Sequence, residues 1–269
     1  MKVAVLLSGF PRNFKYTFPY FKKYIADDLH PDVFYFGYND LKYGSSTDDI
    51  LSRYKPKKHL IREPSSEIDE EIWNAYGTRA INSISLNATE GPQTQPHWIL
   101  SQYYNLYKTN ELKREFEQEG NFKYDCVIRA RPDYFFYTNV KKEDLLKIKS
   151  DHVYIPDVWD FAKLYFYPTL GIDMLVHGIG DQFAYGDSEA MDKYCSLFYK
   201  IQQYNLEQGC PFHPETLLKF HIIEGEKLRR EVIKNPFWFE LSDFEVNGVA
   251  SSYIDGDDPE NTPNRRQFT

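Results

Sequence analysis

Cysteine is scarce in this sequence, and long apolar runs are absent. The three cysteines among the 269 residues, Cys126, Cys195 and Cys210, are odd in number, widely spaced and without the paired spacing of metal ligands. This pattern disfavours a disulfide framework and favours a reducing compartment, so we expect a cytoplasmic protein. No apolar stretch approaches the roughly 20 residues of a membrane-spanning helix, and the stretch after Lys2 is too short for a signal peptide. We expect a protein without a transmembrane segment.

An excess of positive charge and three well-known enzyme signatures are also lacking. The net charge is -8, which argues against nucleic acid or an anionic membrane as the main partner. The sequence has no GxxxxGK phosphate-binding loop, no GxGxxG dinucleotide fingerprint and no GxSxG nucleophile elbow. Their absence disfavours other α/β enzymes that act on phosphorylated substrates. We expect no nucleic-acid partner.

Apolar runs of strand length recur along the chain and are typical of parallel strands covered on both faces. Such runs occupy residues 3–7, 33–36 and 126–128. Residues 97–117 show helical periodicity, with Gln102 as a polar exception for which a surface position is the plain alternative. The pattern predicts an α/β fold with a mostly parallel central sheet flanked by helices. We assign residues 1–250 to one domain and residues 251–269 to a polar tail.

The stretch 124–136 combines a strand pattern with charged residues at its end. Its apolar run leads to Arg129 and Arg131, and Pro132 cannot donate to a strand ladder, so the strand should stop or bend there. Functional groups in open α/β folds collect at such strand ends. The Asp133 carboxylate suits a hard divalent cation and the arginines suit phosphate oxygens, which together predict a metal–diphosphate site. Ordinary surface ion pairs at a strand end are the alternative.

Two other strand ends carry polar residues. The turn after the first strand contains Ser8, Gly9 and Arg12, where the glycine allows close approach of the backbone to a ligand and the arginine suits a phosphate. Asn39 and Asp40 follow the second strand and suit a base or a ribose. In both places a loop that merely connects two elements explains the residues equally well.

A further group of polar residues precedes a predicted helix over residues 188–204, for which Asp187 is a good N-cap. Asp181 and Gln182 lie beside a glycine at the mouth of a predicted short strand. A carboxylate in a cleft can act as a general base toward a hydroxyl group. A turn or capping aspartate, with no function in chemistry, is the alternative.

His213 and Glu215 stand at the start of another predicted helix. A glutamate in the first turn stabilises a helix whatever its function, because its charge complements the helix dipole. A lone histidine in a loop is more often neither a metal ligand nor a phosphate ligand. Both residues are therefore weaker candidates for the site, as is Gln182.

Four segments, in this order, resemble those of one enzyme family. They are Leu-Ser-Gly-Phe-Pro-Arg at 7–12, Arg-Ala-Arg-Pro-Asp at 129–133, Gly-Asp-Gln-Phe-Ala at 180–184 and His-Pro-Glu-Thr-Leu-Leu at 213–218. Over residues 1–225 the chain resembles GT-A-type nucleotide-sugar glycosyltransferases. It is most similar to the lipopolysaccharide-synthesis (WavE-like) group and to the glycosyltransferases of large algal viruses. These enzymes usually carry Asp-x-Asp after the central strand, whereas Arg131-Pro132-Asp133 keeps only the last aspartate.

The resemblance implies a single Rossmann-like GT-A domain that transfers sugar from a nucleoside diphosphate sugar to a hydroxyl of a glycan or glycoprotein acceptor. The residues implied in nucleotide binding are Ser8, Gly9, Arg12, Asn39 and Asp40. Asp133, with Mn²⁺ or Mg²⁺, would bind the diphosphate and stabilise charge on the leaving group. Arg129 and Arg131 would either assist or lock the local fold by pairing with carboxylates.

The resemblance also assigns the chemistry of the transfer. Asp181 is the general base if the reaction inverts the anomeric centre, and a ligand of the donor sugar if it retains the configuration. His213 and Glu215 are weaker candidates for acceptor or diphosphate contacts. The alternative to an enzyme is a non-catalytic carbohydrate- or nucleotide-binding module. In such a module the aromatic side chains, 17% of the sequence, would stack on sugar and the carboxylates would be structural.

Overall fold

A computed structural model describes residues 1–12, 14–39, 47–63, 96–156, 178–210, 212–233 and 239–241, with four isolated positions between 70 and 76. Its strands are β1 Val3–Gly9, β2 Asp32–Tyr38, β3 Lys58–Arg62, β4 Cys126–Ala130, β5 Tyr134–Phe136, β6 His152–Pro156, β7 Ala184–Gly186, β8 Arg229–Ile233 and β9 Phe239–Leu241. Its α-helices are α1 Phe14–Phe21, α2 Thr47–Tyr54, α3 Pro96–Gly120, α4 Lys142–Leu145, α5 Ser188–Cys195 and α6 Pro214–Phe220, with one further α-helical turn at Asp27–Leu29.

Helical turns of other kinds extend three of these helices. Wider π-helical turns over Lys22–Ala26 and His221–Gly225 follow α1 and α6. A 3₁₀ turn over Ser196–Lys200 and a π-helical turn over Gln203–Glu207 follow α5, so residues 188–204 are helical as predicted, although α5 itself ends at Cys195. Its N-cap is confirmed, because a side-chain oxygen of Asp187 accepts a hydrogen bond from the backbone N–H three residues later. Among the described residues, no helix is both long enough and apolar enough to cross a membrane.

A seven-stranded sheet in the order β3-β2-β1-β4-β7-β6-β8 forms the centre of the molecule. β1 pairs in parallel with β2 and β4, β2 with β3, and β6 with β8. Only β7 runs against its neighbours β4 and β6. The predicted fold class, α/β with a mostly parallel central sheet flanked by helices, is therefore confirmed. β5 and β9 form a separate antiparallel pair.

The two faces of the sheet are covered by different helices, which explains why the central strands are apolar runs. In β1, Ala4 and Leu6 pack into a core cluster with residues of α3 and α5. Val5 and Leu7 alternate with them and pack into a second cluster with residues of α1. Alternate residues of a strand point to opposite faces, so a strand covered on both sides needs apolar side chains throughout.

The reversed direction of β7 decides which residues meet at one edge of the sheet. Arg129, near the carboxyl end of β4, pairs with Ala184 at the start of β7, whereas Val127 pairs with Gly186. The chain therefore enters β7 at the edge where β4 ends. Residues just before β7, including Asp181, are brought to the same edge as the residues just after β4.

A buried group of charges joins α3 to α5. Lys113 is 0% exposed, and its Nζ donates to Oγ of Ser188 at 2.7 Å and to Oδ1 of Asp192 at 2.8 Å. Glu117 accepts a hydrogen bond from the Ser188 hydroxyl at 2.6 Å and lies 3.3 Å from Lys113 Nζ. We call Lys113, Glu117, Ser188 and Asp192 the α3–α5 ionic network. The network fixes α5 relative to α3.

Candidate functional site

The turn after β4 is held in place by its backbone. Pro132 follows the strand, and β4 ends at Ala130, as the sequence predicts. The carbonyl oxygen of Pro132 accepts a hydrogen bond from Oγ1 of Thr17 at 2.5 Å and a longer one from the Tyr54 hydroxyl at 3.5 Å. The turn that carries Arg131 and Asp133 is thereby tied to α1 and α2.

Asp133 is a buried carboxylate held by two arginines. It is 1% exposed. Arg131 donates to both of its oxygens, from Nε to Oδ1 at 2.9 Å and from Nη2 to Oδ2 at 2.7 Å. Nη1 of Arg12 donates to Oδ2 at 3.4 Å. Burial opposes the charge of Arg131, but Tyr134 and the carboxylates of Asp133 and Asp181 together raise the pKa of its guanidinium.

The turn after β1 brings Arg12 to this carboxylate. β1 lies beside β4, with Leu7 paired to Ala130, so the two strands end at the same edge. Ser8 is buried there, and Gly9 has a φ of 106°, which favours glycine. The Tyr35 hydroxyl donates to the Gly9 carbonyl at 3.3 Å. The structure thus places three predicted donor-binding residues, Ser8, Gly9 and Arg12, at the edge where Asp133 lies.

Asn39 lies at the end of β2, where neighbouring elements occupy its amide. Its Nδ2 donates to Oε1 of Glu63 at 2.8 Å, and its Oδ1 accepts from the Thr47 hydroxyl at 3.3 Å. Asp40, predicted beside it, lies outside the described residues. Its predicted role in nucleotide binding, and that of Asn39, remain predictions.

Asp181 lies just before β7 and contacts α3. It is 6% exposed, and its Oδ2 accepts a hydrogen bond from Nε2 of Gln102. No described residue donates to its other oxygen, Oδ1. The carboxylate raises the pKa of Arg131 and of Glu215, so it lies near both side chains. Gln182, next to it, is half-buried.

His213 and Glu215 form the far side of the site. The backbone N–H of Ile179 donates to the Glu215 carbonyl at 3.2 Å, which joins the segment before Asp181 to the first turn of α6. Nδ1 of His213 lies 3.0 Å from Oε2 of Glu215, although this oxygen has no partner with hydrogen-bond geometry among the described residues. Burial and, second, the Asp181 charge raise the pKa of Glu215 to about 8. Burial lowers the pKa of His213, against the opposing effect of Asp181.

Arg129 is a buried guanidinium in β4. It is 1% exposed, and neither its Nε nor its Nη1 has a hydrogen-bond partner among the described residues. Burial raises the pKa of Tyr194, where the Arg129 charge opposes the rise and the Asp181 charge adds to it. Arg129 and Asp181 therefore act on the same ring. We call Arg12, Arg129, Arg131, Asp133, Asp181 and Glu215 the carboxyl-edge cluster.

Two residues of α3 support the site without having been predicted there. Gln102, for which a surface position was the alternative, is half-buried and donates to Asp181. The hydroxyl of Tyr103, one position on, donates to the carbonyl of Pro214 at 2.7 Å and holds the start of α6. The one sequence signal was the polar side chain of Gln102 within an apolar helical pattern. Such a pattern shows that Gln102 is unusual, but it does not identify Asp181 as its hydrogen-bond partner.

The residues around Asp133 do not fit the predicted Mn²⁺ or Mg²⁺ site. Such a cation needs several oxygen ligands with available lone pairs. Both oxygens of Asp133 already accept hydrogen bonds from guanidinium groups. Within the described part of the chain, no group of three or more histidine, cysteine, aspartate or glutamate side chains is arranged to hold a metal ion.

Comparison with solved structures gives a distant likeness in fold. No family model matches the sequence, and no curated protein sequence matches it. Among solved structures, the chain is similar to mouse xyloside xylosyltransferase 1 in its apo form, with 11% sequence identity and a TM-score of 0.43. The alignment covers 86% of this chain and 84% of that chain. Values this low do not identify a shared activity.

Proposed function

We propose that the protein is a glycosyltransferase that moves a sugar from a nucleoside diphosphate sugar to a hydroxyl of a glycan or glycoprotein. The observation that carries this proposal is the meeting of two kinds of groups at one edge of the sheet. Arginines at the ends of β1 and β4 suit a diphosphate, and the carboxylate before β7 suits an acceptor hydroxyl. The sequence resemblance to lipopolysaccharide-synthesis and algal-virus glycosyltransferases belongs to the same proposal.

Transfer with inversion follows a simple course at this site. The acceptor hydroxyl oxygen attacks the anomeric carbon, and the bond from that carbon to the diphosphate oxygen breaks. The hydroxyl proton passes to Asp181, and the nucleoside diphosphate leaves with the electron pair of the broken bond. Positive groups near the diphosphate stabilise its growing charge. In a retaining transfer, Asp181 contacts the donor sugar instead.

The surroundings of Asp181 suit the role of a base. Gln102 fixes one carboxylate oxygen, while no described residue donates to the other. Glu215, with a pKa raised to about 8, holds a proton at neutral pH and adds no second negative charge beside it. A carboxylate with one oxygen held and one available can approach an acceptor hydroxyl at hydrogen-bond distance.

Thermal unfolding with nucleotide sugars tests the proposal. The protein is mixed with UDP-, GDP- and dTDP-sugars, each with EDTA and with Mn²⁺. A ligand at about 100 times its dissociation constant adds about 2.7 kcal/mol of stability, which raises the melting temperature of a domain of this size by roughly 5–10 °C. We expect one nucleotide series to give this shift. No shift with any donor overturns the proposal.

A substitution at Asp181 separates chemistry from binding. Asp181→Asn keeps the shape of the side chain but removes its ability to accept a proton. We expect sugar transfer to fall by roughly 10²- to 10⁴-fold, the usual contribution of a positioned base, with donor affinity unchanged. Asp28→Asn, on an exposed residue after α1, is the matched control. Unchanged transfer by Asp181→Asn would eliminate it as the base.

A second candidate is a non-catalytic carbohydrate- or nucleotide-binding module. The pairing of Asp133 with two arginines favours it, because a carboxylate whose oxygens are both occupied can be purely structural. Replacement of both Asp133 and Asp181 distinguishes the two candidates. If the wild type shows no sugar transfer and the double variant binds the ligand with unchanged affinity, the protein is a binding module.

A further inference from the structure

The carboxylate that the sequence assigns to a metal is engaged by arginine. The hydrogen bonds from Arg131 form a two-pronged fork on Asp133, with both distances below 3.0 Å. A divalent cation at this carboxylate would compete with the fork for the same two oxygens. It would also lie beside the positive charges of Arg131 and Arg12. The donor set therefore disagrees with a metal centre, and another group must meet the charge of a diphosphate.

Arg131 is arranged to meet that charge. Two of its nitrogens, Nε and Nη2, point at Asp133, and its guanidinium lies 5.0 Å from the centroid of the Tyr134 ring. These contacts fix the plane of the group, and neither hydrogen bond to Asp133 uses Nη1. The side chain is 23% exposed. A guanidinium fixed in one plane loses little freedom when it binds two phosphate oxygens.

Positive charge is in excess among the described residues of the carboxyl-edge cluster. The carboxyl-edge cluster contains three guanidinium groups and two aspartates, while Glu215 holds a proton at neutral pH. One of the arginines, Arg129, has Nε and Nη1 without hydrogen-bond partners among the described residues although it is 1% exposed. Buried charges are stable when paired. An anion that enters this edge supplies the missing negative charge.

We propose that the site binds the diphosphate of its donor through Arg131 and Arg12, without a divalent cation. This inference rests on the proposed function. Asp133 is then a positioning residue that holds the fork of Arg131 rather than a metal ligand. The guanidinium groups supply the charge that stabilises the departing nucleoside diphosphate.

Isothermal titration with UDP, GDP and dTDP tests the inference, in EDTA and again in Mn²⁺ or Mg²⁺. We expect the best nucleotide to bind in EDTA, with a dissociation constant within about fivefold, or about 1 kcal/mol, of its value with metal. A larger gain from metal overturns the inference and leaves the glycosyltransferase proposal standing. No binding in either buffer overturns both. The two failures are therefore distinguishable.

Variants of Arg131 identify the groups that bind. In EDTA, we expect Arg131→Ala to weaken the binding of the preferred nucleoside diphosphate by more than about tenfold, or 1.4 kcal/mol. The affinity of Arg131→Lys should lie between those of the wild type and Arg131→Ala, because lysine keeps the charge but cannot form the two-pronged hydrogen bond. The combination Arg131→Ala with Asp133→Asn removes the guanidinium without leaving a buried charge, should the single variant not fold. Arg229→Ala is the control, an exposed arginine at the start of β8. Wild-type affinity in both arginine variants would overturn the inference.

Asp133→Asn supplies a separate readout. If Asp133 is a metal ligand, metal should improve nucleoside diphosphate binding by the wild type but not by the variant. A positioning role predicts that the ratio of the dissociation constants in EDTA and in metal stays near one in both proteins. A ratio that is large in the wild type and collapses in Asp133→Asn would restore the metal site.

Discussion

The α3–α5 ionic network and the carboxyl-edge cluster are both buried groups of charges, but they differ in how completely they are paired. In the network, Lys113 contacts Ser188, Asp192 and Glu117, all within 3.3 Å. Glu117 also accepts from the backbone N–H of Tyr124 at 3.0 Å. In the cluster, Arg129 and Glu215 keep polar atoms with no hydrogen bond among the described residues.

This difference separates charges that hold the fold from charges whose pairing, in the proposed function, is completed by a ligand. A buried polar group without a partner costs about 1–3 kcal/mol, so a stable domain satisfies nearly all of them. The network obeys this rule and joins two helices. The cluster departs from it at the edge of the sheet where ligands bind in open α/β folds. Under the proposed function, a substrate bound at this edge would complete the pairing.

Breaking the network should have the largest effect on stability. Lys113→Met removes the buried partner of Glu117, which keeps its ion pair with Lys123 at 2.9 Å. We therefore expect a loss at the lower end of the about 3–5 kcal/mol that removal of one partner from a buried ion pair costs. Urea unfolding measures this loss. Lys108→Met, on a half-buried lysine of the same helix that pairs with Glu111, should cost no more than about 1 kcal/mol. Equal losses in the two variants would show that the network is no stronger than a surface pair.

The pH dependence of stability tests the unpaired carboxyl of the cluster. Burial, with the Asp181 charge second, raises the pKa of Glu215 from 4.5 to about 8, so the folded protein keeps a proton that the unfolded chain releases. The free energy of unfolding should therefore fall as pH rises from about 4.5 to about 8, by up to about 1.4 kcal/mol per pH unit.

The matched variants for this prediction are two glutamates. Glu215→Gln, which cannot titrate, should lose this contribution, and the difference between its unfolding free energy and that of the wild type should change with pH. Glu207→Gln, on an exposed residue, should follow the wild type. A constant difference between Glu215→Gln and the wild type from pH 5 to pH 8 would place the Glu215 pKa at its ordinary value.

Replacing Arg129 should have the smallest effect on stability and a clear effect on binding. Arg129→Met removes a buried charge that lacks partners for two of its nitrogens, so we expect the free energy of unfolding to change by less than about 1 kcal/mol or to rise. Nucleotide affinity should fall by about tenfold, or 1.4 kcal/mol, as the excess positive charge is lost. A loss of stability as large as that of Lys113→Met would show that Arg129 is held like the network.

The sequence predicts the strands and their ends because those features are local. The apolar runs at 3–7, 33–36 and 126–128 lie inside β1, β2 and β4, and the helix predicted over 97–117 lies inside α3. Pro132 ends β4 since it cannot donate to the ladder. The predicted meeting of strand-end residues is also observed for Arg12, Arg131 and Asp133, because β1 and β4 are parallel neighbours.

The remainder depends on contacts that no local pattern encodes. β7 has only three residues, and the sequence Ala184–Gly186 does not predict which strands it pairs with or in which direction. The partner of Gln102 is 79 positions away, so periodicity marks the residue as unusual without locating Asp181. A carboxylate after a strand suits both a metal and an arginine. The fork from Arg131 to Asp133 decides between them only when side-chain geometry is known.

The long connections that build the cluster also govern when it forms. Arg12 meets Asp133 across 121 positions, and Tyr103 meets Pro214 across 111. Contacts so distant in sequence form slowly, because large loops must close before they are made. Nucleotide binding should therefore return only in the last phase of refolding, after the secondary structure. A nascent chain that still lacks α6 would have no complete site. We therefore expect substrate binding only when folding is complete.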